Sequence, residues 1–217
     1  GKTTLINQVA GELKPDAGTI RFEGRDITRL PVHRRSALGI ARTFQVTNIF
    51  NGFTAIDNVA LAVQARDGHS YRFWKPARRV EHVRDTALTA LAQTGIAHRA
   101  GITASRLSYG EQRLVGIAMA LAAGPRVLLL DEPMAGMGIR ASAEMVKLLR
   151  GLKDRISLLL VEHDMDAVFS LADRISVLVY GRIIASGTPE EIRQDRAVWE
   201  AYLGEEENAF RTMATGT

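Results

Sequence analysis

The chain has 217 residues, 46% of them hydrophobic and 24% charged, which suits one domain or two tightly joined subdomains and argues against a chain disordered as a whole. It has no cysteine, so a disulfide framework or a thiolate metal site is excluded, and no apolar run approaches the roughly 18–20 residues that cross a bilayer, the longest being Leu114 to Gly124. A formal charge of +4 is small for this length and weakly favours anionic partners without demanding nucleic acid.

The sequence opens on Gly1-Lys2-Thr3-Thr4 rather than on a methionine, which reads as a truncation. Leu5, Ile6, Val9 and Ala10 then recur at helical spacing until Gly11 and Pro15, so a helix is expected directly after Lys2. From Gly18 to Ile27, Ile20 and Phe22 alternate with polar neighbours and Gly24 occupies a turn position, as in an antiparallel hairpin. Ile40 to Gln45 predicts a short strand with Gln45 at its exit, and Asn48, Asn51 and Gly52 mark the loop that follows.

From Thr54 the pattern turns helical, with Thr54 and Asp57 at capping-box spacing and a second apolar stripe through Val80, Val83, Ala87, Leu88 and Leu91. A helical insert over residues 53–123 is expected, ending in a helix from Leu114 to Ala122. Val127 to Leu130 is a continuous apolar run that empties into Asp131-Glu132-Pro133, and Ile156 to Val161 is another that ends in Glu162-His163-Asp164. Met145, Leu148, Leu149 and Leu152 lie on one helical face between them, so strand, helix and strand predict a parallel sheet with its functional residues at the carboxyl ends. A last hairpin, Ile175 to Ala185 turning at Tyr180-Gly181, precedes a helix that opens at Thr188-Pro189-Glu190-Glu191. No internal repeat or low-complexity tract is present.

Gly1-Lys2-Thr3-Thr4 before a helix matches the end of the pattern G-x-x-x-x-G-K-[ST], in which backbone amides, a lysine and a helix N-terminus surround phosphates. Taken singly, this and the other motifs have plain readings: an ordinary helix start, Ser108 as an N-cap, Asp131-Glu132-Pro133 as a turn at a strand end, and His163 as a hydrogen-bonded histidine. Their order is what distinguishes them. Leu107-Ser108-Tyr109-Gly110-Glu111-Gln112, an apolar helix, then Leu128-Leu129-Leu130-Asp131-Glu132-Pro133 and His163 resemble the signature, Walker B strand and switch histidine of ABC transporter ATPases.

The resemblance implies an α/β, RecA-like P-loop NTPase core with a parallel sheet, an antiparallel β region and a helical subdomain. The core would take residues 1–52 and 124–217, and the signature subdomain residues 53–123. It also implies ATP and Mg²⁺ as ligands. Lys2 would meet the β- and γ-phosphates, Thr3 would coordinate the metal, and Gly1 and Thr4 would complete the phosphate loop. Asp131 would hold Mg²⁺ through its water shell, and Gln45 would reach the metal or the attacking water. Glu132 would be the general base and His163 the γ-phosphate contact. Ser108 and Gly110, with Gln112 beside them, would face the nucleotide of a second ATPase subunit in a head-to-tail dimer.

Gly39-Ile40-Ala41-Arg42-Thr43-Phe44-Gln45, Tyr109, Ala135-Gly136-Met137, Val161-Glu162-His163-Asp164-Met165 and the segment from Gly187 to Gly204 are most similar to the branched-chain amino acid importer ATPases. Urea-import and lipopolysaccharide-export ATPases share much of this pattern. The expected partners are a second ATPase subunit, transmembrane permease subunits and, indirectly, a substrate-binding protein, at the cytoplasmic face of the membrane. Two departures stand out. Gly138-Ile139 replaces the acidic or amide residue usual after Walker B, and the first part of the phosphate loop is missing, so a chain that began at Gly1 would bind ATP poorly.

The segment His69-Ser70-Tyr71-Arg72-Phe73-Trp74-Lys75-Pro76 with Arg78 and Arg79 mixes aromatic and cationic residues. It reads as a solvated loop or as a contact with transmembrane partners. A soluble ABC protein on nucleic acid is the competing reading, but paired cassettes and long coiled-coil inserts are lacking. An inactive fragment is a third. His33, His69, His82 and His98 have no ligand spacing and read as surface residues.

Overall fold

A computed structural model describes residues 1–43, 49–66 and 77–201, apart from the side chains of 77–80. Gln45, the aromatic and cationic segment around Trp74 and the end of the chain from Tyr202 lie outside the described residues. The chain divides into two compact units, Ile6–Glu162 and Gly1–Leu5 with His163–Thr217.

Helix α1 (Lys2–Ala10) buries Ile6 and Ala10. It ends at Gly11, whose φ of +90° is open to glycine and costly to other residues. The strands β1 (Arg21–Phe22) and β2 (Arg25–Asp26) pair antiparallel about Glu23 and Gly24, with φ of +50° and +78°. Two central residues of positive φ make a turn whose twist matches that of its strands, as the Gly24 signal predicts. The short helix α2 (Val32–Ala37) then leads to β3 (Ile40–Thr43).

Three helices follow, α3 (Ala55–Arg66), α4 (Ala77–Gln93) and α5 (Tyr109–Ala122). Ala55, Val59, Val63, Ala87, Leu91, Val115 and Ala118 interlock in one core cluster and are each fully buried. Thr54 caps α3 through the Asp57 N–H at 3.2 Å, with Asp57 accepting the Thr54 hydroxyl in return. Helix α5 starts five residues before the Leu114 expected from apolar periodicity, because Ser108 and Glu111 form a full capping box that carries the polar stretch Tyr109–Arg113 into the helix.

Beyond α5 lie β4 (Val127–Asp131), α6 (Ile139–Leu152) and β5 (Ser157–Val161). The sheet runs β3-β4-β5, all parallel, with Arg42 opposite Leu129 and Asp131 opposite Val161. Leu128, Leu129 and Leu130 have no exposed surface, as a strand covered on both faces requires. Ile6, Ile27, Ile40 and Leu129 form the apolar layer beneath this sheet.

In the other unit, α7 (Met165–Leu171) precedes the antiparallel pair β6 (Ile175–Val179) and β7 (Arg182–Gly187). Tyr180 and Gly181 turn it with φ of +47° and +80°, where the sequence places the turn. Helix α8 (Pro189–Gln194) opens with a capping box of Thr188 and Glu191 and Pro189 in its first turn. Ile175, Ala185, Ile192 and Val198 form this unit's core.

Candidate functional site

The residues of the first helical turn, Lys2, Thr3 and Thr4, are all exposed, and no acidic side chain stands among them. The first N–H groups of a helix have no partner within it and lie at its positive end, an arrangement that favours an anion there. Gly1 lies close against the β6–β7 hairpin: a Cβ there would meet Leu178 Cδ2 at 3.1 Å and Gly181 Cα at 3.4 Å.

Helix α1 is held at its other end by a residue not singled out in the sequence. Arg35 is 1% exposed and donates to the carbonyls of Gln8 at 2.6 Å, Val9 at 2.8 Å, Leu30 at 2.9 Å and Thr28 at 2.9 Å. A cation at the C-terminus of a helix satisfies carbonyls that have no partner within the helix and opposes the negative end of its dipole. Burial lowers the pKa of this guanidinium.

At the end of β4, Asp131 is 2% exposed. Its Oδ2 lies 3.4 Å from Arg42 Nη2, and Arg42 Nη1 contacts Glu12 Oε2 at 2.6 Å. Asp131 Oδ1 is buried without a hydrogen-bond partner. Glu132 follows in the left-handed region at φ +48°. Its N–H donates to Val161 O at 2.9 Å, and its carbonyl accepts from the Ala135 N–H at 3.1 Å and from Arg113 Nη1. Glu162 Oε1 takes the Met134 N–H at 3.0 Å, so the loop after β4 is tied to the end of β5 as well as to α5. A cavity of about 260 Å³ reaches from Arg42 and Thr43 past Ile117 and Ala120 to Arg113 and Asp131.

The segment Leu107 to Gln112 is built around the start of α5. Ser108 Oγ accepts the Glu111 N–H at 3.3 Å, and Glu111 Oε2 accepts the Ser108 N–H at 2.8 Å. Arg99 Nε binds the other Glu111 oxygen at 2.8 Å. That bond, aided by the Ser108 N–H, lowers the Glu111 pKa against the opposing effect of burial. Gln112 turns its amide inward, donating to Ala104 O at 3.0 Å and Leu107 O at 3.2 Å. A Cβ at Gly110 would meet Met137 Cε at 3.5 Å and one at Gly136 would meet Tyr109 Cε1 at 3.5 Å, so this turn packs on the loop after β4.

Two further features bear on function. Asn58 is fully buried and ties the chain before α3, accepting the Phe50 N–H at 2.7 Å and donating to Phe50 O and Thr54 O. The segment so anchored presents Phe50 and Phe53, 54% and 46% exposed, with their rings 5.5 Å apart. His163 is exposed in the bend after β5, and Asp164 caps α7 by accepting the Ala167 N–H at 3.1 Å. His33, His82 and His98 are exposed, and no group of potential metal ligands of three or more clusters among the described residues. Among them too, no helix is long and apolar enough to cross a membrane.

The sequence profile of the ABC transporter family matches residues 1–135, more than half of the chain. The chain belongs to that family. It is an ABC ATP-binding subunit, an ATPase coupled to transport, with the P-loop NTPase fold of ABC cassettes. A second profile, described as branched-chain amino acid ATP-binding cassette transporter, matches residues 182–208. The high-affinity branched-chain amino acid transport ATP-binding protein LivG of Salmonella typhimurium strain LT2 is 39% identical over 212 residues, covering 94% of this chain and 83% of that protein. Among solved structures, the ADP conformation of the ATP-binding cassette MJ1267 superposes with a TM-score of 0.80 at 30% identity over 94% of this chain and 84% of that one. The dimeric post-hydrolysis state of the ATP-binding cassette MJ0796 bound to ADP and Pi gives a TM-score of 0.73 at 26% identity over 87% of this chain and 81% of that one.

Proposed function

We propose that this ABC subunit hydrolyses ATP to power the import of branched-chain amino acids, as half of a head-to-tail ATPase pair beneath transmembrane permease subunits, at the cytoplasmic face of the membrane. A substrate-binding protein delivers the solute from the other side. The observation that carries the solute assignment is the match of residues 182–208 to a profile described as that of branched-chain amino acid cassettes, alongside the 39% identity to LivG.

The chemistry divides among residues by what each can offer. Lys2 supplies a positive point charge to the β- and γ-phosphates, with Gly1, Thr3 and Thr4 completing the phosphate loop at the helix start. Asp131 and Thr3, with Gln45, suit Mg²⁺, a hard cation that takes oxygen ligands. The buried Asp131 Oδ1, which lacks a hydrogen-bond partner, is an acceptor of the kind a metal-bound water requires. When bound, Mg²⁺ offsets negative charge on the phosphoryl oxygens.

Glu132 acts as the general base that takes a proton from the attacking water, a role typically worth ~10²–10⁴ in rate. His163 contacts the γ-phosphate and Gln45 orients the water. Ser108 and Gly110 at the start of α5 face the nucleotide of the partner copy, while Gln112 braces their turn. Residues 53–123 form the subdomain that docks on the permease, and the exposed Phe50–Phe53 pair at its margin suits an apolar partner surface.

The test is ATP hydrolysis by the subunit assembled with its permease in vesicles, with a binding protein loaded with leucine, isoleucine or valine. Stimulation is expected with these and not with polar amino acids, and equal stimulation by both classes would refute the solute assignment. For the chemistry, Glu132→Gln should bind ATP, stop turning over and accumulate as ATP-held dimers. Turnover at a near-normal rate would remove Glu132 as the base.

A further inference from the structure

We propose that Arg113 is a positioning residue for hydrolysis: from the signature helix α5 it holds the peptide group of Glu132 in the same copy, and so fixes the base for attack on its own nucleotide. The inference rests on the reading of Glu132 as the base and adds to it the device that keeps it in place.

Three observations lead there. Arg113 is 7% exposed on a helix whose next residues, Val115, Ile117 and Ala118, lie in the core. A guanidinium in such a place loses its hydration, and a leucine or methionine would pack there without that loss. What Arg113 does there is limited and specific. One terminal nitrogen donates to the Glu132 carbonyl, the other to the Tyr109 hydroxyl at 2.7 Å, and the guanidinium carbon lies 4.8 Å from the centre of the Tyr109 ring. Its Nε is buried without a hydrogen-bond partner, so the arrangement is not optimised for satisfying arginine itself.

The second observation is the backbone of Glu132. Among the described residues, three that are not glycine have positive φ: Glu23, Tyr180 and Glu132. The first two occupy two-residue hairpin turns and precede a glycine, where the turn type itself demands that conformation. Glu132 precedes Pro133 and sits in no hairpin, so its conformation must be imposed from outside. Val161 holds the N–H, and the carbonyl is shared by the Ala135 N–H of the same turn and by Arg113, which alone reaches it from another element.

The third is the packing of the same turn on the residues after Glu132, Tyr109 against Gly136 and Gly110 against Met137. The start of α5 thus touches the strand-end loop at two points besides the guanidinium. A displacement of Ser108 by a partner's phosphate would reach the Glu132 peptide through the first five residues of α5 and one guanidinium.

The experiment compares Arg113→Met, Arg113→Lys and Tyr109→Phe with the parent and with Glu132→Gln, all in the assembled transporter. It measures kcat per active site, KM for ATP, affinity for a non-hydrolysable ATP analogue and melting temperature. Arg113→Met should lower kcat by about tenfold to a hundredfold, the scale of a small misplacement of a catalytic group, with KM and analogue affinity within about twofold. Arg113→Lys should recover part of kcat, since one ammonium donor can replace Nη1, and Tyr109→Phe should fall between Lys and the parent. A lower melting temperature with an unchanged rate per active site would reduce Arg113 to a packing residue and overturn the proposal. Should Arg113→Met not assemble, parental turnover by both Arg113→Lys and Tyr109→Phe overturns it equally. If Glu132→Gln abolishes turnover while the Arg113 variants match the parent, the positioning role alone fails. If Glu132→Gln turns over normally, the assignment of the base fails first.

Discussion

Arg42 Nη2 lies 3.4 Å from Asp131 Oδ2 on the neighbouring parallel strand, while the second carboxylate oxygen of Asp131 is buried with no hydrogen bond. The carboxylate is therefore half supported by the fold and half reserved. Asp131→Asn should leave the melting temperature of the nucleotide-free protein unchanged or a few degrees higher, because a buried, incompletely paired charge is removed. The same variant should need about tenfold or more Mg²⁺ for half-maximal hydrolysis. Calorimetry and a Mg²⁺ titration read the two effects separately. A melting temperature well below the parent would show that the ion pair with Arg42 dominates.

Arg35 binds four carbonyls with three nitrogens, more than the single ammonium of a lysine can reach. Arg35→Met should cost about 3–5 kcal/mol in denaturant unfolding, and Arg35→Lys nearly as much, because buried carbonyls are left unpaired. Gly11→Ala should cost upwards of about 1 kcal/mol, since φ is +90° and the new Cβ would lie 2.9 Å from Arg35 Nε. The double variant should be less than additive, because both changes act on one contact.

Glu111 has a lowered pKa because Arg99 and the Ser108 N–H favour its ionised form. A group lowered on folding stabilises the fold fully above its unfolded pKa, and that contribution disappears as pH falls through the lower folded value. Glu111→Gln should therefore flatten the acid limb of a plot of melting temperature against pH, below the ordinary glutamate range, and change its shape little near neutrality. An acid limb identical to the parent's would place the Arg99 contact outside the stability balance.

Ser108 and Thr188 make the same capping box on two helices, yet only one is read as part of the ATP site. Alanine at either position should lower stability by about 1 kcal/mol. Thr188→Ala should hydrolyse ATP at the parental rate per folded protein, whereas Ser108→Ala should lose turnover well beyond its loss of stability. Equal activity losses in the two variants would mark Ser108 as a cap only.

Much of the fold is legible in the sequence because it is specified locally. Gly24 and Gly181 announce their hairpins by the positive φ they follow, and the Thr188-Pro189-Glu190-Glu191 run announces α8 by its caps. The unbroken leucines of β4 announce a strand with two covered faces. The start of α5 is not visible in periodicity, because the apolar stripe begins at Leu114 while the helix is initiated by the hydrogen bonds of Ser108 and Glu111. The motif order points to the family, and the positions of Asp131 and Glu132 at a strand end follow from it. Arg35 and Arg113 are not legible. Each is buried by contacts with residues far off in sequence, Gln8 lying 27 positions from Arg35 and Glu132 19 positions from Arg113, and nothing local distinguishes them from surface arginines.

Gly138 stands at the N-cap of α6 and offers no side-chain cap, and the first helical residue, Ile139, is 91% exposed. A contact made through that side chain is driven by release of water, worth about 1.5–3 kcal/mol for a fully covered isoleucine, and not by attraction between ions. Such a seam ignores the ionic strength that would screen a charged pair, tightens on mild warming and loosens in the cold. A partnership seated there would be cold-labile and would not be weakened by the screening that added salt brings.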